Sequence, residues 1–438
     1  MKQIIKGYNL FFIFMCIIWP PFQLYILKVD GAGRTIMIMS ILALLLNVHE
    51  FWKQKKAFLS PAFLCWVVLF CYSMFNALSK GFYAEFGVFK FLRDRYFDSF
   101  VLLIFLLLEL RKDKNTCLWV IWIALGVYLL IGIPSFTINV EGRFDVEEIG
   151  NLYPLHAVAF LFMSCILFVE EKIKMWFFVL VTIGISIIIY LSGTRKAFGA
   201  EVILLMGVVL NNGKKRNVWA WIRLVFFGGI LLSGVYYVMN YTTVGERIQE
   251  GTDEQLYVQL VDNERFNDFL MTLLGDRAVQ YETSIELYHE HFWTGIGLTN
   301  FMDMSGGELV LHSEYMVQLC ENGLIGFVLL MLFYVVLVIS LFKNLTHMKR
   351  KIGMALFGLL SVLFINFTSW TYCMNYIMVF YAILLTYASS KPELLNAINK
   401  DRHPSQREQF QQSLDRIFGA IPEGVEKDDP TVMGRNLS

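Results

Sequence analysis

Two adjacent cations, Arg195 and Lys196, stand where two strongly apolar runs meet in "IIIYLSGTRKAFGAEVILLM". No long hydrophilic stretch separates the runs, so the pair sits at the edge of what reads as a membrane. A cation there costs roughly a few kcal/mol at most, because its long stem lets the charge reach the interface. Several such cations in one bundle point to a shared, buried anion. Others lie in comparable places: Lys80, Lys90, Arg93 and Arg95 in "SKGFYAEFGVFKFLRDRYF", Arg143 in "GRFDVEEIGNLYP", and Arg277 in "GDRAVQYETSIELYHEHF". The competing reading pairs each cation with a lipid phosphate or with a nearby acid such as Asp94, Asp98 or Glu201. A further polar group, His312, opens "HSEYMVQLCENGLIGF" at the start of another apolar run; its plainest reading is an interfacial histidine that caps or packs.

The elements that must hold these groups are membrane helices. The chain is 56% hydrophobic, 16% aromatic and 17% charged, and 37 basic residues balance 37 acidic ones. That composition excludes a basic nucleic-acid binder and a disordered acidic protein. A helix needs about 20 mostly apolar residues to cross the hydrocarbon, and in lipid the backbone leaves only helices or closed barrels. The apolar runs here are continuous, not alternating. They predict an all-α integral membrane protein with about twelve transmembrane helices, over 7–28, 35–50, 60–78, 96–110, 117–136, 153–169, 175–192, 197–211, 219–240, 322–342, 352–369 and 371–388. The first run follows Lys2 and Lys6 and lacks a small-residue cleavage site, which predicts a retained span. All 7 cysteines lie in or beside spans without a CxxC, as core packing requires.

Short-loop lysines and arginines orient the spans. With the N-terminus inside, the inner loops carry Lys53, Lys55 and Lys56; Arg111, Lys112 and Lys114; Lys172 and Lys174; Lys214, Lys215, Arg216 and Arg223; and Lys343, Lys349, Arg350 and Lys351. Residues 1–240 then form spans one to nine, 241–311 an outer loop, 312–390 spans ten to twelve, and 391–438 a loosely ordered cytoplasmic tail. Arg195 and Lys196 fall on the outer face, where basic residues should be scarce. The outer loop is acid-rich, with only Arg247, Arg265 and Arg277 against its acids, so outer cations gather near span ends.

That loop has internal structure. Ala278, Tyr281, Ile285 and Tyr288 recur at helical spacing, which predicts a packed helix beside Arg277. In "HFWTGIGLTNF", Gly295 and Gly297 permit tight turns and close backbone approach. Turning by about 100° per residue from His312, Met316 and Leu319 share its face and Glu321 falls opposite, so Glu321 is a poor partner for the imidazole.

The order of these motifs resembles the O-antigen ligase and O-antigen polymerase family: an outer "SGTR" (Ser192 to Arg195), a long outer loop with Arg277 before "HFWTGIGLTNF", then "HSEYMVQLCENGLIGF" at a span start. "GRFDVEEIGNLYP" is similar to that family's loop before its central spans. The resemblance covers roughly residues 140 to 345. This chain has Phe292 and Ser313 where the family tends to have Pro and Asn, and it lacks a Trp shortly after Arg277. The resemblance implies transfer of a glycan from an undecaprenyl diphosphate carrier to an acceptor sugar hydroxyl on the outer face, with inversion and without metal or other cofactor. It implies that Arg195 and Arg277 hold the diphosphate, since the planar guanidinium binds phosphate oxygens in two places. Lys196, Arg93, Arg95 and Arg143 are possible supports, and His312 matches the position of the base. Donor glycan, acceptor glycan and lipid bilayer are the implied partners, nucleic acid is not, and the implied location is the bacterial cytoplasmic membrane.

His156, His289, His291 and His312 share the outer side, and His289 and His291 are two apart, so they make no i,i+4 metal pair. No GxxxxGK[ST], strand-borne GxGxxG or GxSxG is present, which leaves ATP-driven, dinucleotide and serine-hydrolase readings without support. The main rival is a transporter or flippase of lipid-linked oligosaccharide. Transporters commonly show repeated halves with polar midplane sites, whereas here no repeat is evident and the charges gather at one face. A structural scaffold would explain neither the outer cations nor the histidine. Polymerase and ligase differ mainly in the acceptor, and the sequence leaves both open.

Overall fold

The computed structural model describes residues 2–27, 33–80, 97–138, 144–146, 152–192, 194–211, 277–298, 300–305, 311–345, 348–367, 369 and 374–389. In chain order, α1 (Lys2–Pro21) runs into a π-helical turn (Phe22–Leu27), followed by α2 (Gly33–Lys53), α3 (Lys55–Phe58), α4 (Pro61–Lys80), α5 (Asp98–Lys112) and α6 (Lys114–Gly132). After a 3-10 turn come two strands, β1 (Phe136–Ile138) and β2 (Phe144–Val146), then α7 (Leu152–Val169), α8 (Met175–Leu191) and α9 (Arg195–Asn211). Next are α10 (Arg277–Glu290), α11 (Phe301–Met304), α12 (Glu314–Lys343), α13 (Lys349–Asn366) and α14 (Asn375–Ala388).

The chain is an α-helical membrane protein. Among the described residues, six helices are long and apolar enough to span a bilayer, Gln3–Leu27, Thr35–Lys53, Pro61–Lys80, Lys114–Gly132, Leu152–Val169 and Glu314–Lys343, with shorter apolar helices at Met175–Leu191 and Asn375–Ala388. Every expected span has a helix except 219–240, which lies outside the described residues, as do 241–276 and the tail 391–438. Two details depart from the expectation. The first is the antiparallel β1–β2 ribbon, in which Phe136 pairs with Val146 and Ile138 with Phe144. A three-residue pair next to the 3-10 turn satisfies backbone groups that a helix would otherwise have to satisfy. The second is that α12 begins eight residues before the expected 322, because its apolar stretch is preceded by a helical segment, Glu314–Asn322, in which Glu314, Gln318, Glu321 and Asn322 interrupt the apolar residues so that hydropathy alone does not mark it.

Helix α7 is the centre of the bundle. It packs against α6, α8, α9, α13 and α14, and Tyr153 to Val169 are all buried. A helix that is apolar on every side belongs in such a core. Its neighbour α9 lies very close to α13. A Cβ on Gly207 would come within 2.6 Å of Phe357, one on Gly199 would strike Phe364, and the Ser361 hydroxyl donates to the Ala200 carbonyl at 3.2 Å. In lipid, small residues on facing helices permit this approach. Helix α12 turns an apolar stripe outward, with Ile325, Val328, Leu332, Val335, Ile339 and Phe342 exposed at steps of three and four residues, as a lipid-facing helix surface requires.

Among the described residues, the loops whose basic residues are expected on the inner side meet at one face. Lys6 pairs with Asp113 at 2.6 Å, Lys112 with Glu50 at 3.9 Å, Lys351 with Glu170 at 3.4 Å and Arg350 with Glu171 at 3.0 Å, while Lys114 also reaches Glu170. Asp113 additionally caps α6 by accepting from the Thr116 amide at 3.2 Å. The Lys6 ammonium, then Thr116, hold its carboxyl down to about 2. At the opposite ends of the helices lie the motifs that the sequence singles out.

Candidate functional site

Helix α8 ends at Ser192, whose amide donates to the Ile188 carbonyl at 3.1 Å and whose hydroxyl donates to that of Ile189 at 2.7 Å. The chain turns, and the Thr194 carbonyl accepts from the Ala197 and Phe198 amides at 3.0 and 3.2 Å, starting α9. Arg195 and Lys196 are therefore its first two residues. Arg277 likewise opens α10. Neither helix carries an acid in its first turn. The N-terminal end of a helix is positive by virtue of its free amides, and cations added there favour an anion, although Asp276 directly precedes Arg277 in the sequence.

His312 precedes α12 rather than lying on it: Ser313 is the N-cap, and the Val317 amide donates to the Ser313 carbonyl at 2.9 Å. The helical-face argument that set His312 over Met316 and Leu319 therefore does not apply, because the residue has no helical phase. The imidazole is exposed.

Three motifs come together at one short segment that the motifs do not include, Asn366, Phe367 and Ser369 at the C-terminal end of α13. The Lys196 ammonium donates to the Ser369 hydroxyl at 2.6 Å. The Glu314 amide, at the start of α12, donates to the Ser369 carbonyl at 3.1 Å, and the Ser313 hydroxyl donates to the Asn366 carbonyl at 3.3 Å. From α10, the Tyr281 hydroxyl donates to the Phe367 carbonyl at 3.1 Å. The turn bearing Arg195 and Lys196, the helix begun by Arg277 and the residues after His312 thus share one anchor. The tight α9–α13 packing explains the first of these contacts, since it carries Lys196 to the end of α13.

The loop "HFWTGIG" is fixed against α12. Gly323 breaks that helix at φ 66° and ψ −170°, which frees carbonyls ahead of the break. Those of Cys320 and Glu321 accept from the Ile296 and Gly297 amides at 3.0 and 2.8 Å, and the Leu324 amide donates back to the Phe292 carbonyl at 2.9 Å. Gly295 and Gly323 both have positive φ, and a Cβ on Gly323 would come within 2.5 Å of the Gly295 nitrogen. A buried polar row extends from this junction along α12. The Asn76 amide group donates to the Thr294 and Glu321 carbonyls at 2.8 and 2.9 Å and to Asn322 at 3.2 Å; Asn322 donates to Gln318 and Gln318 to the Glu314 carboxylate, each at 2.9 Å. Buried amides and carboxylates persist in lipid only when partnered in this way.

Arg93, Arg95 and Arg143 lie outside the described residues. Glu201, a potential partner for the outer cations, is buried within α9 and accepts from the Ser186 hydroxyl of α8. His289 sits in the last turn of α10 and His291 just after it. Among the described residues no group of three His, Cys, Asp or Glu side chains could hold a metal ion.

Residues 177–331 match the O-antigen ligase family. The resemblance read from the ordered motifs is thereby supported over the segment that carries Arg195, Lys196, Arg277 and His312. The matched segment leaves out the β1–β2 ribbon and stops short of residues 366–369. No curated protein matches the chain.

Proposed function

We propose that this protein is a membrane glycosyltransferase that moves an oligo- or polysaccharide from undecaprenyl diphosphate to the hydroxyl of an acceptor sugar at the outer face of the bacterial cytoplasmic membrane. The observation that carries the reading is the shared anchor at residues 366–369, which gathers the elements bearing two arginines, a lysine and a histidine at one end of a helical bundle. In the reaction the acceptor oxygen forms a bond to the anomeric carbon as the bond from that carbon to the diphosphate oxygen breaks. Arg195 and Arg277, with Lys196, hold the charge that develops on the departing diphosphate. His312 takes the acceptor proton, for which its exposure suits it, since the acceptor must reach it from outside. Attack opposite the leaving group gives inversion. In this reading the chain has twelve spans with 241–311 outside and both ends cytoplasmic, and this end of the bundle faces the carrier's outer-leaflet head group; the basic short loops support it.

The test is a purified protein given a lipid-linked glycan and an acceptor, without ATP and with a chelator present. We expect product from the wild type and a loss of about 10² to 10⁴ in rate for His312→Ala, the usual cost of removing a general base. Equal turnover in the two would remove His312 from that role, and no turnover by the wild type with any lipid-linked glycan would favour transport. Within the reading, lipid analysis of a deletion strain separates the acceptors: loss of a polymerase leaves single repeat units still exported, and loss of a ligase leaves full-length chains on the carrier.

A further inference from the structure

We propose that Phe292 and Trp293 form an aromatic anchor that seats the loop after α10 in the lipid–water interface of the bilayer. Both side chains are exposed, Trp293 by 64% and Phe292 by 38%. Contiguous exposed apolar surface marks an interaction site, and the attachment of the loop says what meets it. The Phe292 carbonyl accepts from the Leu324 amide at 2.9 Å and the Trp293 carbonyl from the Ile325 amide at 3.3 Å. Ile325 is the first residue of the outward apolar stripe of α12, and Val328 is the next. The aromatic pair therefore continues a surface built to meet lipid.

The length of α12 fixes how deep this border lies. Beyond the break at Gly323 the helix runs to Lys343. At about 1.5 Å per residue that part is roughly 30 Å long, the thickness of the hydrocarbon. Leu324 and Ile325 thus stand where hydrocarbon gives way to head groups, and Lys343, the basic residue of the last turn, marks the other border. Tryptophan favours that depth, because its broad ring meets acyl chains while the indole N–H meets water or head groups. The polarity of α10 agrees. Glu282, Glu286 and Glu290 are exposed at steps of four, so one face of that helix is acidic and belongs in water. Within one turn of Glu290 the chain changes from this acidic face to the aromatic pair, as a segment at the boundary must. The rings also brace one another: the Tyr288 and Phe292 centroids lie 5.1 Å apart, and Phe292 meets Trp293 edge to face at 5.1 Å. Held to α12 by two backbone bonds, the pair sets the height of the loop that follows Arg277 and its helix.

The experiment places the purified full-length protein in phospholipid vesicles whose acyl chains carry bromine either near the head group or near the chain end, and reads tryptophan fluorescence. The chain has 10 tryptophans, so the signal of Trp293 is the difference between the wild type and Trp293→Phe, a change that keeps a ring in place. That difference should lose most of its intensity to the shallow bromine and clearly less to the deep one, while aqueous iodide quenches little of it. Phe292→Trp in the otherwise wild-type chain keeps Trp293 and adds an indole beside it. Its gained emission should show the same depth ranking, which keeps the test open if Trp293→Phe fails to fold. A sugar-stacking platform or a protein-docking patch would stand in water, give a signal open to iodide and insensitive to bromine at either depth, and so overturn the anchor. Stronger quenching by the deep bromine would overturn it as well, because the pair would then lie inside the hydrocarbon. The measurement requires no turnover. A wild type that transfers nothing therefore leaves the anchor standing, and an unquenched Trp293 leaves the transferase reading standing.

Discussion

The proposed reading gives arginine and lysine different tasks at this end of the bundle, and substitution separates them. Arg195 and Arg277 each begin a helix whose first turn has no acid, and the N-terminal end of a helix favours an anion. If both grip one diphosphate, Arg195→Ala and Arg277→Ala should each abolish transfer while expression persists. Lysine in either position should recover only part of it, because charge remains while the two-point fork does not. Full activity of Arg195→Ala in the purified assay would remove that residue from the mechanism. Both arginines and His312 are legible in the sequence because their types, order and span-end placement limit what they can do. Ser369 is not. It stands in "NFTSW", a polar break between two apolar runs with no pattern of its own, and its importance arises only when α9 and α13 close together. The placement of His312 ahead of its helix was equally hidden, because the mixed polar and apolar segment that starts α12 has no hydropathic mark.

At the scale of elements, the broken helix is the part that local rules predict least well. Periodicity makes 322–342 a span, and the turn that precedes it is helical too, but only tertiary contacts show that the two meet at Gly323 with a left-handed residue between them. The break is what lets the loop at Gly295 and Gly297 bond to the carbonyls of Cys320 and Glu321, so the loop after Arg277 and the helix after His312 are set by one event. Gly323→Ala should therefore be costly. A side chain at this φ costs roughly 1–3 kcal/mol of backbone strain, and here its Cβ also meets Trp293 and Gly295. The expected outcome is a lower unfolding temperature in detergent together with reduced transfer. Gly184→Ala on α8 is the matched control: a Cβ there meets nothing within 4 Å, and alanine is favoured over glycine within a helix by about 1 kcal/mol. Equal melting temperatures for Gly323→Ala and wild type would show that the loop does not depend on the break.

For the whole molecule, charge and chemistry divide between the two ends of the bundle. One end is tied by Lys6 with Asp113, Lys114 and Lys351 with Glu170, and Arg350 with Glu171, all from loops whose basic residues lead the sequence reading to expect them on the cytoplasmic side. The other end gathers the motif residues around 366–369. That these loops meet in space was implicit in the sequence, since a consistent alternation of spans puts them on one side; which helices adjoin, and that α7 is enclosed by five others, was not, because an apolar helix does not record its neighbours. The division makes a directional prediction. Glu290, exposed at the end of α10, and Lys172, exposed in the turn between α7 and α8, belong to opposite ends. In intact cells a membrane-impermeant maleimide should label Glu290→Cys, and should label Lys172→Cys only after the membrane is opened. Labelling should be read against the wild-type chain, whose cysteines lie within helices at Cys16, Cys65, Cys71, Cys117, Cys165 and Cys320 among the described residues. The reverse pattern would put the cation cluster in the cytoplasm, where a carrier head group delivered to the outer leaflet could not reach it. Labelling of both positions from outside would mean that the ends do not face opposite sides of the bilayer, and the span count would have to change.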